Sequence, residues 1–345
     1  MKNKYNIAVI GATGNTGMKT LQILEERNFP INNVTAVASE KSVGKEVSFY
    51  DRAIKVQNIS DFDFSETDIA IFCAGNGISQ KYADAVTAAG CTIIDKSSHF
   101  RLNLKVPLII PEVNADSLTK GAPLGIVSTP NCIAVPLAMT LKALSQLSSV
   151  KRVVASTYQS VSGAGRRAAD ELYNQTKELI SAGTPRPEVF QKQIAFNVIP
   201  AIGHLYNSGV TEEEDKISCE VCKILKSNVR IAVTCVRVPV FVGHSISVAC
   251  ELSGEADEAM IYEAFETVDG ISPADPRSDF ITPIEARGED AVYVSRIRRD
   301  NTVKNGVLFW ITSDNLRKGA ALNSVQIAEL MISENPQLTK FKRKK

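Results

Sequence analysis

Cys132 is the residue whose surroundings best suit nucleophilic chemistry. It lies in the stretch STPNCIAVPLAMTLKAL, where the apolar residues that follow it are spaced as in a helix. Asn131 is a good N-cap residue, so we expect Cys132 in the first helical turn. A helix N-terminus stabilises a thiolate, which is the nucleophilic form of cysteine. The alternative is a buried, inert cysteine, which is the usual fate of this residue type.

A thiol nucleophile needs a base, and His244 is the best base candidate among the three histidines. It lies beside Gly243 at the end of the apolar stretch VPVFVGHSIS, although a lone histidine is more often structural. Arg237 lies in TCVRVPV with apolar neighbours on both sides, where a buried guanidinium needs an anion. That anion is either a substrate carboxylate in a bidentate pair or an internal Asp or Glu.

The N-terminal segment carries the pattern of a nucleotide-phosphate site. An apolar run from Tyr5 to Ile10 leads into Gly11, Gly14 and Gly17, and a helical pattern follows. Glycines let the backbone approach phosphates, and free N–H groups at a helix N-terminus favour an anion. The spacing is G-x-x-G-x-x-G rather than the G-x-G-x-x-G of the standard dinucleotide fingerprint. A tight turn without a ligand is therefore the alternative.

Strand-like and helical stretches alternate in the first part of the chain. This alternation predicts a doubly wound parallel sheet, in which ligands bind at the carboxyl ends of the strands. Three segments fall at such ends: Gly11–Gly17, Cys73–Gly77 and Asp95–Arg101. The predicted strands after the first are 33–39, 67–75, 91–95 and 108–114, with a helix that ends before Gly90.

After Pro130 the pattern predicts a mostly antiparallel α+β domain. The last helical stretch, 316–332, is expected to return to the first domain. Strand-like stretches lie at 151–163, 192–203, 228–252, 290–300 and 306–314, and helical stretches lie near 165–181, 212–226 and 255–267.

Length and composition indicate a soluble globular protein with two domains. The chain has 345 residues, of which 44% are hydrophobic and 22% are charged. The net charge of +1 gives no reason to expect a nucleic-acid partner, and we interpret the basic tail at 340–345 as a solvated terminus. No apolar run approaches the ~20 residues of a membrane span.

The N-terminus and the cysteines predict a cytoplasmic protein. The first strand begins at Tyr5, which leaves no room for a signal peptide. The seven cysteines are an odd number, and we expect reduced thiols. Cys219 and Cys222 form a C-x-x-C with no second Cys or His pair nearby, whereas zinc needs about four ligands. We expect no metal site.

The chain resembles the aspartate-semialdehyde dehydrogenases of the bacterial type over nearly its whole length. The similar stretches occur in the family's order and spacing, which is far more specific than any one of them. A second family, the N-acetyl-γ-glutamyl-phosphate reductases, shares a similar glycine turn and a catalytic cysteine. The matching stretches are GATGNTG, IIDKSSHFR, PEVN, TPNC, TYQSVSGAGR, QIAFNVIP, EEEDKISCEVCKIL, TCVRVPVFVGHS, SRIRRD and SDNLRKGAALNSVQIAEL.

The resemblance implies a Rossmann-like NADP-binding domain at 1–131, with the C-terminal segment 316–345, and a catalytic and dimerisation domain at 132–315. It implies the NADPH-dependent reductive dephosphorylation of L-aspartyl-4-phosphate to L-aspartate 4-semialdehyde through a Cys132 thioester. This reaction would serve the biosynthesis of lysine, threonine, methionine and diaminopimelate. It also implies a homodimer that pairs through the second domain.

The resemblance assigns site residues one by one. The EEED run leaves the register of Glu213 open by one residue. The catalytic residues are Cys132, His244 and Gln159, and the substrate-binding residues are Arg101, Asn131, Glu213, Lys216 and Arg237. The cofactor-binding residues are Gly11, Thr13, Gly14, Asn15, Thr16, Ser39, Lys41, Ser42, Ser162, Gly163, Gly165 and Asn315.

Three positions depart from the pattern that NADP binding and this family lead us to expect. Lys96 stands where the family usually has Asn, Ile133 stands where Ser or Thr is common, and Glu40 opposes a cofactor 2′-phosphate if it faces the ribose. Two other functions stay open. One is the reduction of N-acetylglutamyl phosphate. The other is NADP sensing by a regulator on the short-chain dehydrogenase fold, which would have no need of the proposed catalytic residues.

Overall fold

The computed structural model describes residues 4–119, 121–275 and 279–334. The basic tail at 340–345 lies outside these residues. The chain divides into two compact units. Of the described residues, unit one comprises 4–119, 121–131 and 320–334, and unit two comprises 132–275 and 279–319.

The strands and helices follow one another along the chain. The strands are β1 (Tyr5–Ile10), β2 (Ile31–Ala38), β3 (Glu46–Phe49), β4 (Arg52–Lys55), β5 (Gln57–Asn58), β6 (Ile69–Phe72), β7 (Thr92–Asp95), β8 (Ile126–Ser128), β9 (Val150–Gln159), β10 (Arg230–Arg237), β11 (His244–Leu252), β12 (Ile271–Pro273), β13 (Val292–Asp300) and β14 (Gly306–Ser313). The helices are α1 (Asn15–Glu26), α2 (Asn76–Ala88), α3 (Pro111–Asn114), α4 (Asp116–Thr119), α5 (Ala134–Leu147), α6 (Arg166–Ile180), α7 (Glu212–Leu225), α8 (Glu258–Glu266), α9 (Pro283–Ala286) and α10 (Leu322–Glu334).

Unit one is built on a parallel sheet with the strand order β5-β2-β1-β6-β7-β8. Side chains alternate between its two faces because a strand has a period of two residues. Ile7 and Val9 of β1 belong to the core that contains residues of α1 and α10, whereas Ala8 and Ile10 belong to the core that contains residues of α2. Helices therefore cover both faces, which confirms the doubly wound sheet predicted from the alternation of strand-like and helical stretches.

Unit two is built on a mixed sheet with the order β10-β9-β11-β14-β13-β12. The three central pairings are antiparallel, as predicted. The two outer pairings, β10 with β9 and β12 with β13, are parallel. Helix α5 packs against α7 and α8, and these helices cover one face of the sheet. The opposite face carries half-buried and exposed side chains, among them Tyr158 and Trp310.

Two predicted strands are wrong. In 108–114, only Leu108 forms an isolated bridge, and α3 follows because Pro111 suits the first turn of a helix. In 192–203, only Ile199 pairs, with Arg237. The N–H groups of Ile194 and Ala195 donate instead to Gln175 Oε1, at 2.9 and 3.1 Å. A side chain on α6 thus takes the bonds that a neighbouring strand would otherwise accept.

The segment predicted as one helix over 316–332 has two parts. A π-helical turn at Arg317–Ala321 precedes α10. Helix α10 packs against α1 and α3 within unit one. Within the ranges that the structure describes, no helix has the length and apolar character needed to cross a membrane.

Candidate active site

The ends of three adjacent strands in unit two bring Gln159, Arg237 and His244 together; we call these residues the strand-end cluster. Gln159 ends β9 and lies directly beside Arg237, which ends β10. His244 begins β11, whose next residue, Ser245, pairs with Tyr158 of β9. By the two-residue period, all three side chains lie on the same face of the sheet. This is the face covered by α5, and all three residues are buried.

His244 is held through one ring nitrogen. The backbone N–H of Ser160 donates to Nδ1 at 3.0 Å, and the Ser160 hydroxyl lies 3.1 Å from the same atom. The other nitrogen, Nε2, is buried and has no hydrogen-bond partner within the described part of the chain. Burial, and then the neighbouring charge of Arg237, lower the pKa of His244 to about 3. The imidazole is therefore neutral at pH 7.

Arg237 is a buried cation, and one of its guanidinium nitrogens donates a hydrogen bond to a backbone oxygen. Its Nη1 donates to the carbonyl oxygen of Ser160 at 2.7 Å, and its guanidinium lies 5.9 Å from the ring centre of Phe190. Burial lowers the pKa of Arg237, and the negative charges of a Cys132 thiolate and of Glu213 oppose that effect. Arg237 is thus electrostatically coupled to both of these acidic groups.

Cys132 lies in a turn just before α5, and not inside its first turn. The helix begins at Ala134, so the prediction that Asn131 caps it is wrong; the capping position is Ile133, whose backbone is already helical. Pro136 falls in the first turn, where no N–H is required, and so fits the helix. A Cβ at Gly319 would lie 2.9 Å from Cys132 Cβ, so only glycine lets the chain pass this close.

The three glutamates at the start of α7 have different partners. Glu214 completes a capping box with Thr211 and also accepts the Cys235 N–H of β10 at 2.9 Å. Glu212 forms an ion pair with Lys216, one helical turn later, and the hydrogen bond from Lys216 lowers the pKa of Glu212. Glu213 is the acid whose charge acts on Arg237.

The segment after β9 forms a hydrogen-bonded hub around Asn315. Its Oδ1 accepts the Gly243 N–H at 2.9 Å and the Ser160 hydroxyl at 3.2 Å, and its Nδ2 donates to Ser162 Oγ at 3.0 Å. Ser160, which contacts His244, Arg237 and Asn315, was not among the residues predicted from the sequence. The one feature of the sequence that could have indicated Ser160 is its position directly after Gln159 at a strand end.

Two glycines of this segment have different structural roles. A Cβ at Gly163 would lie 3.2 Å from Arg237 Nη1 and 3.3 Å from His244 Nε2, so glycine keeps the space beside both groups open. Gly165 has φ +93° and precedes the first residue of α6, a conformation that favours glycine.

In unit one, the turn Gly11–Gly17 is shaped by close backbone contacts; we call it the glycine turn. Gly11 has φ +82°, and a Cβ there would lie 2.9 Å from the Cys73 carbonyl oxygen. A Cβ at Gly17 would lie 2.2 Å from the Gly11 oxygen, which is impossible without movement. No side chain caps α1, and its first turn holds no acidic residue. The described structure thus gives this helix the free, positive N-terminus that a phosphate requires.

The other predicted cofactor residues of unit one lie around this turn. Asn15 and Thr16 are the first two residues of α1. Thr13 Oγ1 lies 3.2 Å from Ser42 Oγ, so the glycine turn and the segment after β2 meet. Ser39, Glu40 and Lys41 precede Ser42 there and are exposed.

Arg101 and Asn131, the predicted phosphate ligands of unit one, are both buried. Arg101 Nη2 donates to the carbonyl oxygen of Lys96 at 2.7 Å. Asp95, which precedes Lys96, is structural: its carboxylate accepts hydroxyl bonds from Ser79 and Ser97, each at 2.7 Å.

Cys219 and Cys222 lie one helical turn apart on α7. Their sulfurs lie against Asp215 and the Val229 carbonyl, respectively. Among the residues with a described placement, no cluster of His, Cys, Asp and Glu could hold a metal ion.

Known proteins resemble both units. The family model for the semialdehyde dehydrogenase NAD binding domain matches residues 6–121, and that for the semialdehyde dehydrogenase dimerisation domain matches residues 141–318. Aspartate-semialdehyde dehydrogenase of Rickettsia bellii is 54% identical over 334 residues, which cover 96% of this chain and 99% of the relative. The protein of that name from Rickettsia conorii is 52% identical over 335 residues, with the same coverage.

Solved structures also resemble this chain. Aspartate semialdehyde dehydrogenase II of Vibrio cholerae has a TM-score of 0.94 at 39% identity, with 96% of this chain and 99% of that chain covered. A second structure of that protein is a complex with ASA. The Candida albicans enzyme, solved with NADP, has a TM-score of 0.74 at 20% identity, covers 96% and 99% of the two chains and shows the fold alone. Family models match both units, and identity to named relatives exceeds one half across nearly the full length, so this chain belongs to the aspartate-semialdehyde dehydrogenase family.

Proposed function

We propose that this enzyme carries out the NADPH-dependent reductive dephosphorylation of L-aspartyl-4-phosphate to L-aspartate 4-semialdehyde and phosphate. The reaction would supply the biosynthesis of lysine, threonine, methionine and diaminopimelate. The observation that carries the proposal is the strand-end cluster, which lies on the sheet face under α5, while Cys132 stands just before that helix. A nucleophile, a cation for a carboxylate and a hydrogen-bonding imidazole are the groups that this chemistry needs.

The substrate would be held by charge at both ends. Arg237 is buried and electrostatically coupled to Glu213, so a zwitterion can place its α-carboxylate on the arginine and its α-amino group on the glutamate. Lys216, four residues beyond Glu212 on α7, is the proposed phosphate ligand of unit two. Arg101 and Asn131 are the proposed phosphate ligands of unit one.

The chemistry would pass through a thioester on Cys132. The thiolate attacks the acyl carbon, and phosphate leaves with its bonding electrons. Gln159 orients the acyl group beside the thiol, and His244 takes the hydroxyl proton when the hemithioacetal collapses to the aldehyde. NADPH, when bound, supplies the hydride that reduces the thioester. The resulting hemithioacetal then releases the aldehyde and restores the thiolate.

The residues of unit one fit a nicotinamide dinucleotide. The uncapped start of α1 and the glycine turn suit the pyrophosphate, held by Gly11, Thr13, Gly14, Asn15 and Thr16. Ser39, Lys41 and Ser42 would hold a 2′-phosphate, which favours NADP over NAD, although Glu40 stands among them. Ser162, Gly163, Gly165 and Asn315 are proposed to lie near the nicotinamide.

The enzyme is proposed to be a cytoplasmic homodimer. The half-exposed sheet face of unit two carries Tyr158 and Trp310, whose rings lie 5.2 Å apart. A second copy that covered this face would bury them. The matching family model is that of a dimerisation domain.

The test is NADPH formation from aspartate semialdehyde, NADP and phosphate, compared between wild type and Cys132→Ser. Turnover should require phosphate and should vanish in Cys132→Ser. Cys219→Ser is the matched control, because Cys219 is exposed on α7, and it should keep wild-type turnover. Faster turnover of N-acetylglutamate semialdehyde, or activity that survives in Cys132→Ser, would contradict the proposal.

A further inference from the structure

The side chain of Glu214 joins the start of α7 to the sheet of unit two. One carboxylate oxygen, Oε2, accepts the backbone N–H of Thr211 at 2.8 Å, and this bond completes the capping box of the helix. The other oxygen, Oε1, accepts the backbone N–H of Cys235 in β10 at 2.9 Å. We call this second bond the Glu214 tie. A single carboxylate therefore caps a helix and also links that helix to a strand.

The Glu214 tie lies on the outer edge of β10, which is the last strand on its side of the sheet. Two residues further along the strand, the backbone N–H of Arg237 donates to the carbonyl oxygen of Ile199 at 2.9 Å. The N–H of Ile199 donates back to the Arg237 carbonyl oxygen at the same distance of 2.9 Å. An edge strand has no neighbouring strand to bind these groups. The end of β10 that carries Arg237 is therefore held in place by bonds from outside the sheet.

The Glu214 tie connects the two groups that are proposed to recognise the substrate. Glu213, the proposed ligand of the α-amino group, directly precedes Glu214. Arg237, the proposed ligand of the α-carboxylate, follows Cys235 by two residues in β10, so both side chains lie on one face. The charge of Glu213 acts on that of Arg237. A shift of α7 along β10 would therefore change the spacing between this acid and this cation.

Only a carboxylate can make both bonds of Glu214. The two partners are backbone N–H donors, so each of the two side-chain oxygens must act as an acceptor. Glutamine has one oxygen and one NH₂ group, and this NH₂ group cannot accept a hydrogen bond. Because glutamine is itself a suitable capping-box residue, we expect Glu214→Gln to keep the bond to Thr211 and to lose the Glu214 tie.

We propose that Glu214 is a positioning residue that ties α7 to β10 and so fixes the separation of Glu213 and Arg237. This inference rests on the proposed function, since it takes these two groups as the ligands of one substrate. An α-amino acid carries its ammonium and its carboxylate on the same carbon, so the two protein groups must keep a set distance. The Glu214 tie thereby gives the enzyme its preference for an α-amino acid over the same aldehyde without the amino group.

Amide hydrogen exchange resolved to single residues tests the Glu214 tie without any turnover. The Cys235 N–H should be protected in the wild-type protein, and it should exchange at least ~10-fold faster in Glu214→Gln. Asp215→Asn is the matched control, because it removes the same charge from the same helical turn and Asp215 is exposed. An unprotected Cys235 N–H in wild type, or equal exchange in the two variants, would overturn the proposal.

Steady-state kinetics test the effect of the Glu214 tie on substrate preference. The quantity measured is kcat/KM for aspartate semialdehyde divided by kcat/KM for 4-oxobutanoate, which lacks only the α-amino group. Glu214→Gln should lower this ratio about 10-fold, mainly through a higher KM for aspartate semialdehyde. Asp215→Asn should keep the ratio within about 2-fold of the wild-type value. An unchanged ratio in Glu214→Gln would overturn the positioning role.

Thr211→Ala separates positioning from helix stability. It removes the hydroxyl that accepts the Glu214 N–H at 3.4 Å, and it leaves both bonds of the Glu214 carboxylate in place. The melting temperature should fall by about 2–4 °C through loss of the cap, while the substrate ratio stays at the wild-type value. A loss of preference in Thr211→Ala as large as that in Glu214→Gln would contradict a role specific to the Glu214 tie.

Two further outcomes are distinguishable. If Glu214→Gln does not fold, Glu214→Asp replaces it, because a side chain shorter by one methylene should reach only one of the two N–H groups; the same exchange rate and substrate ratio then decide the proposal. If the proposed function is wrong, the wild-type enzyme will not turn over aspartate semialdehyde, whereas protection of the Cys235 N–H will be unaffected. Loss of that protection in the wild type would instead reject the Glu214 tie.

Discussion

The glycine turn of unit one and the strand-end cluster of unit two are built in opposite ways. Gly11 and Gly17 shape their site by the absence of side chains, because a Cβ at either position would collide with backbone. Gln159, Arg237 and His244 shape theirs with buried polar side chains held by hydrogen bonds. The first site depends on backbone geometry, so we expect substitutions there to lower the stability of the fold. The second site depends on the placement of charges and protons, so we expect substitutions there to lower the reaction rate.

The largest effect is expected from Arg237→Ala. It would remove the two charge-assisted hydrogen bonds proposed for the substrate carboxylate, so kcat/KM for aspartate semialdehyde should fall about 10³-fold, or ~4 kcal/mol. Arg237→Lys keeps the charge but loses the planar fork and should fall less. Fluorescence titration should find NADPH binding unchanged in both variants. An unchanged kcat/KM in Arg237→Ala would refute the carboxylate role.

The second-largest effect is expected on stability, from backbone crowding in the glycine turn. Gly17→Ala should lower the free energy of unfolding by about 3 kcal/mol, because its Cβ would lie 2.2 Å from the Gly11 oxygen. Gly14→Ala is the matched variant, since its Cβ would meet that oxygen at 3.4 Å, and it should cost less than about 1 kcal/mol. Urea unfolding measures both. Equal stability of the two variants would show that the contact at Gly17 relaxes freely.

Acid should destabilise the protein through His244. Its pKa is lowered from 6.5 to about 3, so between these values the unfolded chain binds a proton that the folded chain does not. This contribution to stability is present above about pH 6.5 and is lost as the pH falls, by about 2–3 kcal/mol at about pH 4.5. Urea unfolding at pH 7 and at about pH 4.5 should show a smaller acid loss in His244→Gln than in wild type. His204→Gln changes an exposed histidine and should keep the full loss.

The smallest effect concerns cofactor choice. Lys41→Ala should weaken NADP binding about 10-fold and leave NAD binding unchanged, because only NADP carries a 2′-phosphate. Lys45→Ala removes another exposed lysine nearby and serves as the control. A parallel loss of both nucleotides in Lys41→Ala would place Lys41 at the pyrophosphate instead.

Local patterns in the sequence predicted the elements that local physics determines. The apolar run before Gly11 and the glycine spacing gave β1 and the start of α1, because both depend on neighbouring residues alone. The signature T-x-x-E at Thr211 and Glu214 is also local, and it could have removed Glu214 from the substrate candidates in advance.

Features that depend on distant residues were not predictable. The segment 192–203 has the composition of a strand, but Gln175 takes its N–H groups, and Phe196 adopts φ +57°. Ser160 looks like an ordinary loop serine, since its partners His244 and Asn315 are far along the chain. Sequence order likewise did not reveal that β10, β9 and β11 lie side by side. The roles of the residues they bring together stay predictions.

The most direct measurement is mass spectrometry of the intact enzyme mixed with aspartate semialdehyde and NADP in the absence of phosphate. The account predicts one covalent aspartyl adduct, located on the Cys132 peptide and released by added phosphate. Cys132→Ser should form no such adduct. An adduct on another residue, or full turnover with no adduct under any condition, would contradict the thioester mechanism.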